Sequence, residues 1–346
     1  MKRASFTLQE LSDLVGANLV GDPEIQISGL ASLEEASGDQ LAHLSNYKYR
    51  KLLANTNAGA IILKELDLYH WAGNALIVQD PYLAFARLSQ LFATSFELQP
   101  GVHSSAVIAD TAIIHSTARI SSGVVISEGS IVEEGACIHA NCYIGPNSLV
   151  GENVTLMPNV VLYSMVKLGT NSFIHSNSVI GSDGFGYAAN ENGHLEAIAQ
   201  NGGVIIGEDV NIGAGTTIDR GTLSDTVIGS GVKIDNQVQI GHNCNIGEHT
   251  IICGCVGIAG SVTIGKYCTV AGACSIGGSG PLVITDKVTI SGGTVVLTSI
   301  MEPGIYSGGT IHTSTQQWKR NALRYLELDE ISKRLALLER KLGNMD

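Results

Sequence analysis

Charged and aromatic residues are scarce in this chain. Only 15% of its 346 residues are Asp, Glu, Lys or Arg, and only 5% are Phe, Trp or Tyr. The charge balance is acidic, with a formal net charge of -12, which excludes nucleic acid or an anionic membrane as a partner of the whole chain. No apolar run approaches the roughly 18 residues that span a bilayer, and residues 1–7 lead into no apolar signal-peptide segment. We therefore expect a cytoplasmic protein without a transmembrane segment.

Proline is also rare, at 7 residues, whereas glycine reaches 41 and hydrophobic residues 44%. That combination is not typical of disorder, so the glycines are expected at tight corners of an ordered fold. What the chain does have is a period of six. From Ile108 to Ile180 an aliphatic residue recurs at every sixth position, and the position four residues later is small, as at Ala112 and Ala118.

A period of six matches neither the 3.6 of a helix nor the 2.0 of a strand, and it indicates a hexapeptide β-helix. The period breaks after Ile180 and resumes at Ile206, with shorter insertions before Ile228 and Ile284. The repeats suffice for about nine coils of three repeats each. The sequence therefore predicts a mainly β fold, a parallel β-helix, which hexapeptide proteins of this kind wind left-handed. Insertions in such folds often carry function, so 181–203 is expected to wall the active site.

Three domains follow from where this period begins and ends. Residues 1–100 lack it and are predicted to form a small α/β domain. It has a helix capped by Thr7, strands at 58–63 and 75–78, and a helix from Asp80 to Phe92 that buries Leu83, Phe85, Leu88 and Leu91. Residues 101–312 form the β-helix, and 313–346 form a helical extension.

The extension carries a 3-4-3-4 spacing of aliphatic residues, which we call the seam: Leu328, Ile331, Leu335, Leu338 and Leu342. Such a seam is typical of a short coiled coil, so we expect a homotrimer; packing onto the chain's own β-helix is the alternative. Residues 314–346 hold seven Lys or Arg against five acids, a surface that suits an acidic protein partner or an ordinary solvated helix.

Cysteine and histidine give little sign of a metal site. The seven cysteines are an odd number, and four of them (Cys142, Cys244, Cys268 and Cys274) occupy the small-residue position, which indicates packing. His139 and His175 occupy the same position of the repeat in coils that are two apart. Their side chains are therefore about 10 Å from each other, which is too far to bind one Zn²⁺ within a chain. We predict no metal and no cofactor.

His242 is the candidate catalytic residue. It follows the core residue Ile240 by two positions, so its side chain points outward, and the amides of Asn236 and Gln239 precede it. An outward histidine flanked by amides suits a general base with substrate-binding neighbours, although a lone surface histidine is more often inert.

Five stretches resemble the UDP-3-O-(3-hydroxyacyl)glucosamine N-acyltransferase family of lipid A biosynthesis, over essentially the whole chain. They are 180–188 (IGSDGFGYA), 216–221 (TTIDRG), 233–243 (KIDNQVQIGHN), 44–50 (LSNYKYR) and 318–322 (WKRNA). The resemblance implies a homotrimer that moves a 3-hydroxyacyl group from acyl carrier protein, its co-substrate, to the 2-amine of a UDP-3-O-acylglucosamine. His242 would be the base, the Gly260 N–H would hold the oxyanion, and Asn236 would place the substrate.

The resemblance further implies that Asn46 and Tyr49 bind the nucleotide and that the basic C-terminal helices receive the carrier protein. Two positions depart from the family's pattern. His43 stands where a Phe usually stacks on uracil, and Ser279 stands where a second active-site His is common. The alternatives are another hexapeptide acyl- or acetyltransferase acting on a nucleotide amino sugar, a non-catalytic trimeric binding protein and a γ-class carbonic anhydrase.

Overall fold

The computed structural model describes residues 5–93, 98–278, 280–309 and 312–343. By contact clustering the chain divides into two compact units, Met1–Glu97 and Leu98–Asp346. Within the described residues, every helix is too short or too polar to cross a membrane.

The first unit is a small α/β fold. Its strands are β1 (Phe6–Thr7), β2 (Asn18–Val20), β3 (Gln26–Ile27), β4 (Gly29–Leu30), β5 (Gln40–His43), β6 (Ala60–Leu63) and β7 (Asn74–Ile77). Five of them form one sheet in the order β2-β7-β6-β5-β4. Its helices are α1 (Leu8–Val15) and α2 (Pro81–Ser89), with 3₁₀ helices at Tyr47–Ala54, Glu65–His70 and Gln90–Phe92. Strand β6 is buried along its whole length because apolar residues cover both faces of the sheet.

Local sequence signals in this unit are largely confirmed. Thr7 caps α1 in a capping box with Glu10, in which the Thr7 N–H donates to the Glu10 carboxylate at 2.7 Å. Asp80 caps α2 as predicted. The prediction that Leu83 faces inward is wrong, since it is 48% exposed. Helix α2 instead buries Pro81, Ala84 and Leu88, so Leu83 lies off the inward-facing side.

The second unit is a three-sided parallel β-helix, as the period of six predicted. Face 1 contains β8 (Gly101–Val102), β11 (Arg119–Ile120), β14 (Cys137–Ile138), β17 (Thr155–Leu156), β20 (Phe173–Ile174), β25 (Asn211–Ile212), β28 (Lys233–Ile234), β31 (Ile251–Ile252), β34 (Thr269–Val270), β37 (Val288–Ile290) and β39 (Gly304–Tyr306). Face 2 contains β9 (Val107–Ile108), β12 (Val125–Ile126), β15 (Tyr143–Ile144), β18 (Val161–Leu162), β21 (Val179–Ser182), β26 (Thr217–Asp219), β29 (Gln239–Ile240), β32 (Gly257–Ile258), β35 (Ser275–Ile276) and β38 (Val295–Val296). Face 3 contains β10 (Ile113–Ile114), β13 (Ile131–Val132), β16 (Leu149–Val150), β19 (Val166–Leu168), β24 (Val204–Ile206), β27 (Thr226–Ile228), β30 (Asn245–Ile246), β33 (Val262–Ile264) and β36 (Leu282–Ile284).

The strand register explains the period. Ile120 of β11 pairs with Ile138 of β14, three repeats later, so each aliphatic residue stacks on its equivalent in the next coil. The aliphatic residues and the four predicted packing cysteines form one continuous core. Burial raises the pKa of Cys142 and Cys244 to about 11, so these thiols are neutral packing groups. The left-handed sense of the coil stays a prediction from the resemblance.

Corner chemistry divides between two positions. The glycine directly after the aliphatic position has no room for a side chain; a Cβ on Gly151 would lie 2.6 Å from the Leu168 carbonyl oxygen in the next coil. The left-handed backbone conformation falls at a later position of the corner, which is asparagine in several coils, with φ of 60°, 56° and 55° at Asn141, Asn147 and Asn153, and glycine or another residue type in the others. Asparagine tolerates this conformation better than other residues with side chains.

The chain ends in two helices, α3 (Thr315–Leu326) and α4 (Leu328–Gly343). All five seam residues lie on α4 and are exposed, from 46% at Ile331 to 67% at Leu342. The seam therefore does not pack on the chain's own β-helix.

Candidate active site

The corner between faces 2 and 3, which we call corner 2–3, collects the irregular parts of the β-helix. A chain leaving face 2 reaches face 3 through this corner, in successive coils at 163–165, 183–203, 220–225, 241–244, 259–261 and 277–281. All three insertions predicted from the sequence are in this series. The longest forms an exposed hairpin of β22 (Tyr187–Ala189) and β23 (Leu195–Ala197). His242 and Gly260 lie at the same corner, one coil apart.

The half-buried imidazole of His242 is held between two glycines. A Cβ on Gly260 would lie 2.5 Å from His242 Nε2, and a Cβ on Gly184 would lie 2.6 Å from His242 Cβ. The ring therefore packs where neither neighbour can carry a side chain. Because Gly184 belongs to the first insertion, this segment walls the histidine, as expected from the break in the period.

Asn243 sets which imidazole nitrogen carries the proton. Its Oδ1 accepts from the Thr222 N–H at 3.0 Å, and its Nδ2 donates to the Ser224 carbonyl at 3.0 Å. These backbone partners define which end of the amide is oxygen. His242 Nδ1 lies 3.0 Å from that oxygen, so Nδ1 is the donor and Nε2 keeps its lone pair. Nε2 is at the end of the ring that Gly260 covers: a Cβ on Gly260 would also lie 2.7 Å from His242 Cε1 and 2.8 Å from Cδ2, so this glycine packs over the face of the ring.

The N–H of Gly260 is open, and it belongs to the residue that packs on the Nε2 end of the ring. Within the described part of the chain it has no hydrogen-bond acceptor. A Cβ on Gly241 would lie 2.6 Å from the Gly260 nitrogen, so the glycine at 241 leaves that nitrogen uncovered. A basic nitrogen next to an open N–H can accept a proton from a nucleophile and stabilise a developing oxyanion.

Asp219 is a site residue that the sequence reasoning missed. It ends β26, one strand from β29, and its carboxylate accepts from Ser182 Oγ and Gln239 Nε2, each at 2.9 Å. Burial raises its pKa, which these two hydrogen bonds and the nearby His242 oppose. The Thr217 hydroxyl donates to the other end of the Gln239 amide, so Gln239 is fixed beside the acid. An acidic residue directly after the aliphatic position Ile218 was the available signal.

Asn236 lies elsewhere. It follows β28 and turns the corner between faces 1 and 2, where its Oδ1 accepts from the Ala214 N–H at 2.7 Å. Within one chain it is therefore at a different corner from His242. Ser279 lies outside the described residues, so its replacement of the family's second histidine has no structural account. Among the described residues no three His, Cys, Asp or Glu side chains form a group suited to a metal ion.

The nucleotide-binding candidates lie in the first unit. Asn46 caps the 3₁₀ helix at Tyr47–Ala54 by accepting from the Lys48 N–H, and Tyr49 is exposed on that helix. His43 ends β5 and stacks on Phe85 of α2, with ring centroids 4.0 Å apart and planes 23° apart. Burial lowers the pKa of His43, so its ring is neutral near pH 7.

Comparisons with known proteins show which family the chain resembles. Residues 24–91 match the family described as UDP-3-O-(3-hydroxymyristoyl) glucosamine N-acyltransferase, LpxD, and 147–182 and 225–260 match the bacterial transferase hexapeptide repeat. A UDP-3-O-acylglucosamine N-acyltransferase of Shewanella denitrificans is 50% identical over 99% of this chain and 99% of its own length. The protein of that name from Pseudomonas fluorescens (strain Pf0-1) is 47% identical over 99% of this chain and 96% of its own length.

The solved structure of Arabidopsis UDP-N-acetylglucosamine acyltransferase aligns with 64% of this chain and 76% of its own, with a TM-score of 0.54. At 22% identity that likeness establishes the β-helix fold alone. The curated relatives are far more similar and match from end to end. The chain therefore belongs to the UDP-3-O-acylglucosamine N-acyltransferase family.

Proposed function

We propose that this protein transfers a 3-hydroxyacyl group from acyl carrier protein to the 2-amine of a UDP-3-O-acylglucosamine, a step of lipid A biosynthesis. Family membership supports the reaction class. The observation that carries the mechanism is the basic Nε2 of His242 packed against Gly260, whose N–H is open in the described part of the chain.

In the proposed reaction the sugar amine attacks the carbonyl carbon of the acyl thioester, while His242 Nε2 takes a proton from the amine. The C–N bond forms, and the negative charge on the carbonyl oxygen is held by the Gly260 N–H. Collapse of this intermediate breaks the C–S bond, and the proton on His242 passes to the departing thiolate. Asn243 stabilises the imidazolium through Nδ1–H, and no metal or cofactor is required.

The proposal includes a homotrimer. Asn236 and His242 lie at different corners of one β-helix, so a site that uses both needs two copies of the chain side by side. The exposed seam of α4 supplies an apolar surface for that association. The basic helices α3 and α4 would receive the acidic carrier protein, and His43, Asn46 and Tyr49 would hold the uridine. A carrier-protein donor fits a cytoplasmic enzyme.

The test is turnover of His242→Ala with acyl carrier protein and a UDP-3-O-acylglucosamine. We expect a fall of about 10²- to 10⁴-fold, the range of a lost general base. The control is His115→Ala, because His115 is also on the β-helix but lies at the corner between faces 3 and 1. Near-normal turnover of His242→Ala would remove His242 from the chemistry.

A donor panel separates the remaining candidates. Product with acetyl-CoA but not with acyl carrier protein would favour another hexapeptide acetyltransferase. A trimer that yields no acylated product from any UDP-amino sugar would indicate a binding protein.

A further inference from the structure

Arg220 is a buried cation outside the machinery described so far. It begins the second insertion of corner 2–3, and only 9% of its side chain is exposed. Its guanidinium is neutralised weakly: the ion-pair partner among the described residues is Asp183, 4.0 Å away with a side chain 72% exposed. A charge buried with so little compensation is costly unless other polar groups solvate it.

Backbone carbonyls supply that solvation, and they come from two other levels of the corner. Arg220 Nε donates to the Gly202 carbonyl at 2.8 Å, and Nη2 donates to the Ser164 carbonyl at 2.6 Å and to Ser164 Oγ at 3.2 Å. Ser164 belongs to the turn between β18 and β19, and Gly202 belongs to the end of the first insertion. One planar guanidinium therefore ties that insertion to the underlying coil.

The start of the first insertion is held by the main chain of the same residue. The Arg220 N–H donates to the Ser182 carbonyl at 2.8 Å, and Asp183 follows directly. Gln200, itself buried, accepts from the Thr222 hydroxyl at 2.9 Å and adds a second tie near the end. Both ends of 183–203 are thus fixed around Arg220, although the hairpin between them is exposed.

The fixed start of this segment is the part that contacts the catalytic candidate. Gly184 is two residues from Ser182, and its Cα packs against His242 and Gln200 so closely that a Cβ would lie 2.6 Å from His242 Cβ and 2.9 Å from Gln200 Oε1. A contiguous set of contacts runs from Arg220 through residues 182–184 to the imidazole.

We propose that Arg220 is a positioning residue for His242: its guanidinium fixes the end of 183–203 at Gly202, two residues from Gln200, and Gln200 packs on Gly184, which contacts the imidazole. This role rests on the proposed function of His242 as the base. Because a planar fork bridges Gly202 and Ser164, lysine cannot replace it fully; an ammonium reaches one carbonyl with different geometry.

The first experiment compares Arg220→Met and Arg220→Lys in the full-length protein. In Arg220→Met we expect hydrogen exchange at 198–203 to rise by about tenfold or more while exchange in the rest of the β-helix is unchanged. We expect kcat to fall by about 10- to 100-fold, because displacing the base slows the chemical step more than it weakens substrate binding. We also expect the pH profile of kcat/KM to change shape. The exchange rate and kcat of Arg220→Lys should lie between those of the native protein and those of Arg220→Met. Lys266→Met is the matched control, because it removes a cation whose partner, Glu248, is exposed at another corner.

The second experiment tests the contact with the imidazole and does not depend on how Arg220→Met folds. Gly184 has an ordinary backbone conformation, so Gly184→Ala is expected to fold while its Cβ displaces His242. We expect kcat to fall by about tenfold or more with KM for both substrates within about twofold. Gly38→Ala is the control, because a Cβ there meets no atom within 4 Å.

Normal kcat and pH profile in Gly184→Ala, or an Arg220→Met protein that loses thermal stability but retains kcat at low temperature, would overturn the proposal. Unchanged exchange at 198–203 in Arg220→Met would also overturn it. Failure of the proposed function itself is recognised separately: His242→Ala would then keep its turnover, whereas the exchange measurement needs no activity and would still report on the fixed end of 183–203.

Discussion

The side-chain oxygen of Asn243 lies 3.0 Å from Nδ1 of His242, and the backbone partners of Asn243 fix that end of the amide, the acceptor end, toward the imidazole. The orientation of one amide thus determines the protonation of the neighbouring ring. The amide is itself anchored in the second insertion, so the irregular parts of corner 2–3 prepare the base as well as surround it.

Asn243→Gly should therefore lower kcat by about 10- to 100-fold, because the imidazole loses the acceptor that selects its tautomer and stabilises its charged form. Glycine retains the left-handed φ of 58° at this position, so backbone strain does not contribute. Asn147→Gly is the control, as Asn147 turns the same corner with a φ of 56°. Steady-state kinetics of the two variants give the answer, and equal kcat values would refute this role of Asn243.

Asp219 offers a test in which activity and stability move in opposite directions. Burial raises its folded-state pKa above the ordinary 3.8, so its ionised form is disfavoured in the folded protein. The protonated carboxyl therefore contributes to the stability of the folded protein. This contribution is fully present below pH 3.8 and is lost as the pH rises through the raised pKa.

Asp219→Asn should therefore raise the thermal midpoint at pH 7 and leave it unchanged well below pH 3.8. Activity should fall, because the negative charge near His242 is lost. Scanning calorimetry at the two pH values checks the stability, and steady-state kinetics at pH 7 check the site. A variant less stable at pH 7 than the native protein would contradict the argument.

Much of this site is readable in the sequence once the period is known. Ile180, Ile218 and Ile276 all lie in face-2 strands, so counting repeats in threes is enough to bring the three insertions to one corner with His242. The outward direction of His242 follows from the same count. The helix caps at Thr7 and Asp80 follow from local hydrogen bonding, which needs no tertiary information.

Other features depend on the conformation of irregular segments. Nothing in the period of six places Gly184 on His242 or the Asn243 amide on Thr222 and Ser224, because the insertions have no repeat to define their path. The burial of Arg220 is hidden for the same reason, since its partners are carbonyl groups that carry no residue signature. Leu83 shows the limit of helical spacing, as a shift of one residue in phase moves a side chain from core to solvent.

His43 makes nucleotide binding pH-dependent if it stacks on uracil. Its lowered pKa keeps the ring neutral and stacked on Phe85 at neutral pH, and protonation on acidification adds a charge to a half-buried aromatic pair. The affinity for UDP should be constant above the ordinary value of 6.5 and weaken several-fold as the pH falls through the lowered pKa. Titration calorimetry with UDP measures this, with His43→Phe as the comparison that removes the titration. Parallel pH profiles for both proteins would exclude His43 as the cause.

The seam of α4 decides whether the proposed intersubunit site forms. Leu335 is on the seam and Leu337 is not, although they are 56% and 54% exposed in one chain and identical in chemistry. In a trimeric coiled coil Leu335 is buried against two copies of itself, so Leu335→Asp should place three carboxylates in an apolar interface and weaken assembly. Leu337→Asp adds the same charge to the solvent side and should leave the mass of the particle unchanged. Sedimentation over a range of concentrations separates the two variants.

Turnover of the dissociated variant then tests where the reaction takes place. If Leu335→Asp dissociates and loses turnover while circular dichroism shows that each chain keeps its β-helix, Asn236 and His242 act from different copies. A dissociated variant with full activity would place the whole reaction within one chain.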